Sequence, residues 1–353
     1  MDKSPVTRVL CGDGVSRKVT RVRDVFKCGS DKLFQVPGLY SVQLAGVRVD
    51  AMERLIFGHL DNIGARASAM LRAWPRSGGF GFRNHEEIPK HCGHPSERMQ
   101  DLLLYMNGQR ERTPRGIAQM RQFLAKQGRI GSHNNLIMTQ FLRRKQLNCT
   151  VWAEGMWELF SAKNSQTKLL LSDDPVTLYN CDCYPVSPPC TYPNDPHPFW
   201  RGTRMLYPLS PTVLLVITHN EHADDPRRSK ARENRRNARS HDQAILSYTD
   251  IINERELSEE QVHQVNHVLK ARATRYIASV SREDLYPERA IGQPRWCDID
   301  RIFYTRHKSF RSESTLMVRY QDGSLMHSNA FGERDYVPGW FVKQQEMKAK
   351  STR

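Results

Sequence analysis

The sequence has no apolar run long enough to span a bilayer. A crossing helix needs about 20 consecutive apolar residues, and the longest run here, "TVLLVIT", is strand length. The opening residues, "MDKSPVTRVLCGDG", contain no apolar h-region. The reading is therefore of a protein with no membrane association, expected in the cytoplasm. No Walker A loop, no Gly-x-Gly-x-x-Gly after a strand and no Gly-x-Ser-x-Gly elbow occurs, so motor, Rossmann and α/β-hydrolase readings lack support. No Cys-x-x-Cys pair occurs among the eight cysteines. Cys181, Cys183 and Cys190 cluster ahead of His197, but their spacing matches no standard zinc module, and reduced loop thiols are the simpler reading.

The chain is also short of negative charge. Lys and Arg number 53 against 38 Asp and Glu, for a formal net charge of +15 over 353 residues. Such a surplus attracts polyanions, of which nucleic acid is the commonest in cytoplasm, although a solvated basic surface would look the same. Hydrophobic residues at 39% and charged residues at 26% indicate a globular chain rather than a disordered one. The basic run "PRRSKARENRRNARS", residues 226 to 240, holds Arg227, Arg228, Lys230, Arg232, Arg235, Arg236 and Arg239, opposed only by Glu233. It has no apolar stripe and no aromatic residue, which fits phosphate contacts better than base stacking.

Helical periodicity dominates the first half. Met52, Leu55, Ile56, Leu60, Ile63, Ala67, Met70 and Leu71 recur at three and four residues, behind Asp50 and Glu53 at capping-box spacing. A second helix is expected from near Ser96 to about Gln127, kinked or restarted at Pro114. At 100° per residue, Gln109, Arg110 and Thr113 fall inside its apolar stripe, Arg112 lies on the flank and Arg115 points away. A third helix is expected over roughly residues 134 to 162. Strand-like segments follow: "TKLLLSDDPVTLYN" reads as strand, turn and strand, and "RMLYPLSPTVLLVITHN" as one or two strands broken at Pro208 and Pro211. Ser258 and Gln261 cap a closing helix with Asn266 in its stripe, and Asp322-Gly323 turns a late hairpin.

Several polar residues break these patterns. Asp173 and Asp174 end an apolar strand directly before Pro175, where they would ligate Mg²⁺ or Mn²⁺, orient an arginine or initiate a turn. His219, His222, Asp224 and Asp225 in "THNEHADDP" lack the helical spacing of a zincin, and His241-Asp242 is only a two-residue likeness to metal-dependent phosphohydrolases.

Five segments taken in order resemble a bacterial family, domain of unknown function 4238. They are "PGLYS", the Gln-x-x-Arg-Thr-Pro of "NGQRERTPRG", "LLLSDDPV", "YPLSPTVLL" and "VNHVLKARATRYIAS". The resemblance covers roughly residues 30 to 285 and picks out Gln109, Arg112, Thr113, Ser172, Asp173, Pro175, Ser210, Pro211 and Asn266. Two positions depart from the family pattern: Phe34 stands where a His is usual, and Asp174 where an Asn is usual. The resemblance implies positions, not a reaction. It goes with an α+β fold, a helix-rich domain packed on a small mixed β-sheet. Residues 1–45 are read as an N-terminal segment with short strands, 46–165 as the helical part and 166–353 as the strand-containing part.

The functional expectation is a nucleic-acid- or nucleotide-directed protein, with a metal-dependent phosphodiesterase or nuclease in bacterial defence or a mobile element as its enzymatic form. Asp173 and Asp174 would hold the metal or act as base, facing Gln109 and Arg112, with Arg112 countering phosphate charge. Thr113, Ser172, Asp174 and Asn266 would support that site. The alternatives are a non-enzymatic nucleic-acid-binding protein using residues 227 to 239, or an interaction component with an acidic protein partner.

Overall fold

The continuous apolar character of "TVLLVIT" is explained by a strand buried on both faces. The computed structural model describes residues 6–11, 22–28, 42–44, 47–49, 57–72, 95–127, 134–185, 187–200, 202–219, 251–292, 296–303, 316–328, 334–340 and 342–343. Four short strands come first: β1 (Val6–Cys11), β2 (Val22–Cys28), β3 (Val42–Leu44) and β4 (Val47–Val49). Four helices follow, α1 (Gly58–Arg72), α2 (Pro95–Glu111), α3 (Pro114–Lys126) and α4 (Asn134–Glu154). Next come β5 (Met156–Ser161), β6 (Leu171–Ser172), β7 (Thr177–Tyr179), β8 (Arg204–Ser210), β9 (Val213–Thr218) and β10 (Ile252–Glu256). Helix α5 (Glu259–Arg272), β11 (Tyr276–Ser279), the short α6 (Glu288–Ile291), β12 (Leu316–Arg319), β13 (Leu325–Ser328) and β14 (Arg334–Val337) complete the described elements.

The central sheet runs β10-β5-β9-β8-β7 and is mixed: β10 lies parallel to β5, and the other neighbours are antiparallel. Side chains alternate between its two faces. Trp157, Leu159, Met205, Tyr207, Leu215 and Ile217 pack with Met70, Leu103, Met106 and Trp152 of the early helices. Phe160, Tyr179, Leu206, Leu214 and Val216 pack with Val262, Val265 and Leu269 of α5. The fold is thus α+β, with helices on both sides of a small mixed sheet. A second sheet, β2-β1-β11-β6, is antiparallel throughout and ties the N-terminal strands to the segment after α5. Residues 173–176 carry the chain from this second sheet into the central one.

Two expectations change here. The helix expected to reach residue 162 ends at Glu154, and Met156–Ser161 is strand. Gly155 supplies the break: a Cβ there would come within 2.5 Å of Ile217 Cγ2 and 3.0 Å of Thr218 O, so only glycine lets α4 turn against β9. The indole N–H of Trp157 then donates to the Trp152 carbonyl at 2.7 Å, occupying an acceptor at the end of α4. Strand β8 also continues through Pro208, where the register against β9 shifts between Pro208 and Ser210. The Ser258–Gln261 capping box forms as expected, as does the β12–β13 hairpin, with Gly323 at φ 85° in its turn.

Candidate functional site

Asp173 is held by backbone amides. One carboxylate oxygen accepts from Thr274 N at 2.8 Å, and the other from Arg275 N at 2.7 Å and Tyr276 N at 3.2 Å. Its own N–H donates to Tyr276 O at 3.0 Å. Burial pushes this carboxyl up, against the three amides, which favour its ionised form. It closes the chain between α5 and β11. Asn266 pins the other side of β6, accepting from Leu170 N at 2.9 Å and donating to Lys168 O at 2.8 Å. Ser172 Oγ accepts from Asp174 N at 3.2 Å and donates to Asp174 O at 2.9 Å, which fixes the turn.

Gln109 and Arg112 lie elsewhere. Both reach Asp61 on α1, Gln109 Nε2 at 3.4 Å and Arg112 through two contacts of 2.7 and 3.0 Å. The Asp61 side chain is about half exposed, so this pair is a surface clamp between α1 and the end of α2. The expected meeting of Asp173 with Gln109 and Arg112 therefore does not occur. We expect Arg112→Ala to cost about 1 kcal/mol or less, as exposed pairs do. Asp173→Ala strands three amide donors and should cost about 2–3 kcal/mol. Urea unfolding of the two variants would expose an error if their order reversed.

Arg115 contacts Asp174 at this turn, and Arg110 and Arg272 join it around Asp195. Thr113 makes this possible. Its hydroxyl accepts from Gly116 N at 3.0 Å as the N-cap of α3 and donates to Arg110 O at 2.8 Å, while Pro114 occupies the first helical position. A Cβ on Gly116 would sit 2.6 Å from Arg110 O and 2.7 Å from Glu111 O, so glycine permits the close corner between α2 and α3. This corner turns Arg115 inward. The expectation that Arg115 points away fails because the helical phase restarts at Pro114.

Asp195 is the centre of the cluster. Arg110 Nη2 donates to its Oδ2 at 3.0 Å and Arg115 Nη1 to its Oδ1 at 3.1 Å; Arg272 Nη1 stands 3.7 Å from Oδ1 and Gln119 Nε2 3.4 Å from Oδ2. Arg110 also donates to Val176 O, and Arg115 to Arg272 O and Asn194 O. Burial alone would push the Asp195 carboxyl up, but Arg115, Arg110 and Arg272 hold it below its ordinary range. Asp174 is treated differently. Arg115 Nε lies 3.3 Å from its Oδ2, yet neither carboxylate oxygen has a hydrogen-bond partner, and the side chain is only 1% exposed. Burial, with the charge of Asp195 beside it, pushes Asp174 up to about 7, while Arg115 and Arg110 oppose this only in part. Two neighbouring carboxyls are thus driven apart in acidity, an arrangement in which one side chain can carry a proton and the other a charge at neutral pH.

A polar layer on α2, α3 and α4 adjoins the cluster. Glu111 accepts from Arg144 Nη1 at 3.1 Å and from Asn148 Nδ2 at 3.1 Å; Asn148 also donates to Asn107, and Arg144 to Gln119. His197 lies close enough to Arg110 and Arg144 for burial and their charges to hold its pKa below the ordinary value. Two sequence signals were available for this layer: Asn107 and Glu111 at i,i+4 on α2, and Gln140, Arg144 and Asn148 at i,i+4,i+8 on α4.

The metal reading of Asp173 and Asp174 finds no supporting geometry among the described residues. Asp173 has its oxygens taken by amides, and Asp174 faces a guanidinium. Among the described residues, no three His, Cys, Asp or Glu side chains are arranged to hold a metal ion, the cysteines ahead of His197 included. Arg227, Arg228, Lys230, Arg232, Arg235, Arg236 and Arg239 lie outside the described residues, as do Phe34, His222, Asp224, Asp225, His241 and Asp242.

The described helices include none long and apolar enough to cross a membrane. Among the curated proteins and the solved structures, none matches this chain. A family model does match, over residues 82–283, a span that takes in Arg110, Arg115, Asp174, Asp195 and Arg272. The corner, the Asp pair and the helix that supplies Arg272 all lie inside that match, and on it the chain belongs to the family described as "Protein of unknown function (DUF4238)".

Proposed function

We propose that this protein binds nucleic acid through phosphate contacts on its exposed cationic surface, with the arginine–aspartate cluster as the scaffold beneath it. The observation that carries this reading is where the charge lies. Buried among the described residues are seven carboxylates, Glu111, Glu154, Glu158, Asp173, Asp174, Asp195 and Asp284, against five cations, Arg110, Arg115, Arg204, Lys270 and Arg272. The buried described residues add nothing to the formal net charge of +15, so the surplus is carried by the other residues, the basic run at 226 to 240 among them. Where such a surplus faces solvent, it raises the local concentration of a polyanion and binds it in a salt-dependent way.

A nuclease reading built on Asp173 and Arg112 draws less support, because one is engaged by three amides and the other by Asp61. The test is fluorescence anisotropy on single- and double-stranded DNA and on RNA across a salt series. Affinity should fall with log salt at a slope of about −0.7 to −0.9 per phosphate contacted. Replacing Arg235, Arg236 and Arg239 together by Gln should flatten that slope by about two to three contacts and weaken all sequences alike. Salt-independent binding, or a triple variant indistinguishable from the parent, would overturn the reading. Cleavage in a parallel arm with Mg²⁺ or Mn²⁺, lost with chelator, would return the enzymatic reading to first place.

A further inference from the structure

The turn between β12 and β13 is a surface on which the chain later folds back. Tyr320 N donates to Ser324 O at 2.9 Å and Gly323 N to Tyr320 O at 3.0 Å, which closes the turn. The Asp322 carboxylate is held by the same turn, accepting from Ser324 N at 2.9 Å and from Ser324 Oγ at 2.6 Å. Gly339, just past β14, lies against it. A Cβ on Gly339 would fall 2.5 Å from Asp322 O and 2.9 Å from both the Gly323 carbonyl carbon and Ser324 N. The two backbones are therefore in direct contact, with no room for a side chain between them.

This contact puts two aromatic residues at one tip of the three-stranded sheet. Tyr320 belongs to the turn and is 44% exposed. Trp340 follows Gly339 and is 68% exposed, more than any other large apolar side chain among the described residues. The outward aim of Trp340 has a local cause. The chain turns helical after Pro338, where Val342 N donates to Pro338 O at 3.2 Å. Val342, two residues on and so on the opposite side of the helix from Trp340, is buried. Lys343, three residues on, shares the outward side and is exposed. Arg319, beside Tyr320 at the end of β12, is exposed as well. Two cations thus accompany the two rings, while the Asp322 carboxylate is already engaged by Ser324.

Exposed Trp and Tyr beside cations are the side chains that dominate binding surfaces, and the charge around them favours a nucleic-acid partner. Arg306, Lys308 and Arg311 precede β12 against Glu313, and Lys343, Lys348, Lys350 and Arg353 follow Trp340 against Glu346. Such flanks complement a phosphate backbone, and the rings offer faces on which bases stack. In a duplex the base faces are covered by neighbouring pairs, so a stacking surface selects single strands. The basic run at 226 to 240 has charge without aromatic residues; this tip has both. We propose that Tyr320 and Trp340 form a base-stacking platform for single-stranded nucleic acid, an inference that rests on the nucleic-acid reading above and adds a strand preference to it.

The experiment follows the anisotropy of one labelled oligonucleotide, single-stranded and annealed to its complement, across a salt series. The full-length parent is compared with Trp340→Ala, Tyr320→Ala and Trp340→Phe. The parent should bind the single strand more tightly than the duplex. Each alanine change should weaken single-strand binding about 5- to 150-fold, the range for one lost stacked base. Duplex affinity and the salt slope should stay as they were, since neither ring neutralises a phosphate. Trp340→Phe should keep most of the parent affinity, and the urea midpoints of all three variants should match the parent because the rings are exposed. Salt-dependent binding by the parent with both alanine variants unchanged, or weakened equally on both forms, would overturn the platform and leave the phosphate reading standing. A parent that binds neither form would overturn both. Self-association of the parent in sedimentation, abolished by Trp340→Ala with single-strand affinity unchanged, would overturn the platform by making the tip a contact between copies of this chain.

Discussion

Asp195→Ala should prevent folding or lower the unfolding free energy by about 3–5 kcal/mol, the usual cost of breaking a buried ion pair by removing one partner. The effect should be large because one carboxylate serves two hydrogen-bonded guanidiniums and a third at 3.7 Å, and all three cations are nearly inaccessible to water. Without it, Arg110, Arg115 and Arg272 repel one another, and Asp174 is the carboxylate left in direct ion-pair contact with one of them. Should Asp195→Ala yield no soluble protein, a compensated pair keeps the idea testable. Arg110→Met combined with Asp195→Leu should be more stable than Asp195→Leu alone, because Arg110→Met removes a cation whose ion pair is lost with Asp195. Equilibrium urea unfolding measures both. A loss below about 1 kcal/mol in Asp195→Ala would mean that the cluster is more hydrated than its burial implies, and strictly additive effects in the pair would deny the coupling.

The parts of this arrangement that follow local rules were legible in the sequence. The apolar periodicity of α1 and α2, the Ser258–Gln261 capping box and the Asp322-Gly323 turn depend on neighbours in the chain, and all appear where the pattern puts them among the described residues. The turn at Asp-Asp-Pro was legible for the same reason. The partners of the Asp pair were not. Projecting residues 96 to 127 on one helical wheel puts Arg115 outside, but Thr113 caps a new helix and resets the phase, so the wheel has no meaning across that corner. Asp195 sits in an irregular Pro-rich loop, where no periodicity marks a residue as buried. Arg272 looks like an ordinary cation at a helix C-terminus, a place where a basic residue is expected on dipole grounds alone. Met156, Trp157 and Phe160 fit a helical spacing as well as a strand, and Gly155 was the one local sign of the change. Burial of a charge is decided by which distant segments meet it, and that information is not local.

Asp174 should make the protein lose stability as pH rises through neutrality, and Asp174→Asn should abolish most of that loss. The sign follows from where the proton is held. In the folded chain Asp174 is pushed up to about 7 from an ordinary value of 3.8, so between those values the native state binds a proton that the unfolded state has released. Stability gained from the neutral carboxyl is complete below the unfolded value and declines as pH climbs to the folded one, at about 1.4 kcal/mol per pH unit over the window. Asp195 works in the opposite sense: held low by three arginines, it contributes stability above its ordinary value and loses it on acidification. The two windows barely overlap, so they separate experimentally. Asparagine resembles the neutral form of Asp174 and is the residue that the family resemblance places there. Asp174→Asn should match the parent near pH 4.5 and exceed it by a few kcal/mol near pH 8. Urea unfolding of both proteins across that range decides the matter. Parallel curves would mean that Asp174 is already ionised at pH 4.5, its contact with Arg115 outweighing burial and the charge of Asp195. A gap that widens with pH would establish Asp174 as the proton-bearing member of the pair, and Asp195 as the permanent anion around which the arginines are arranged.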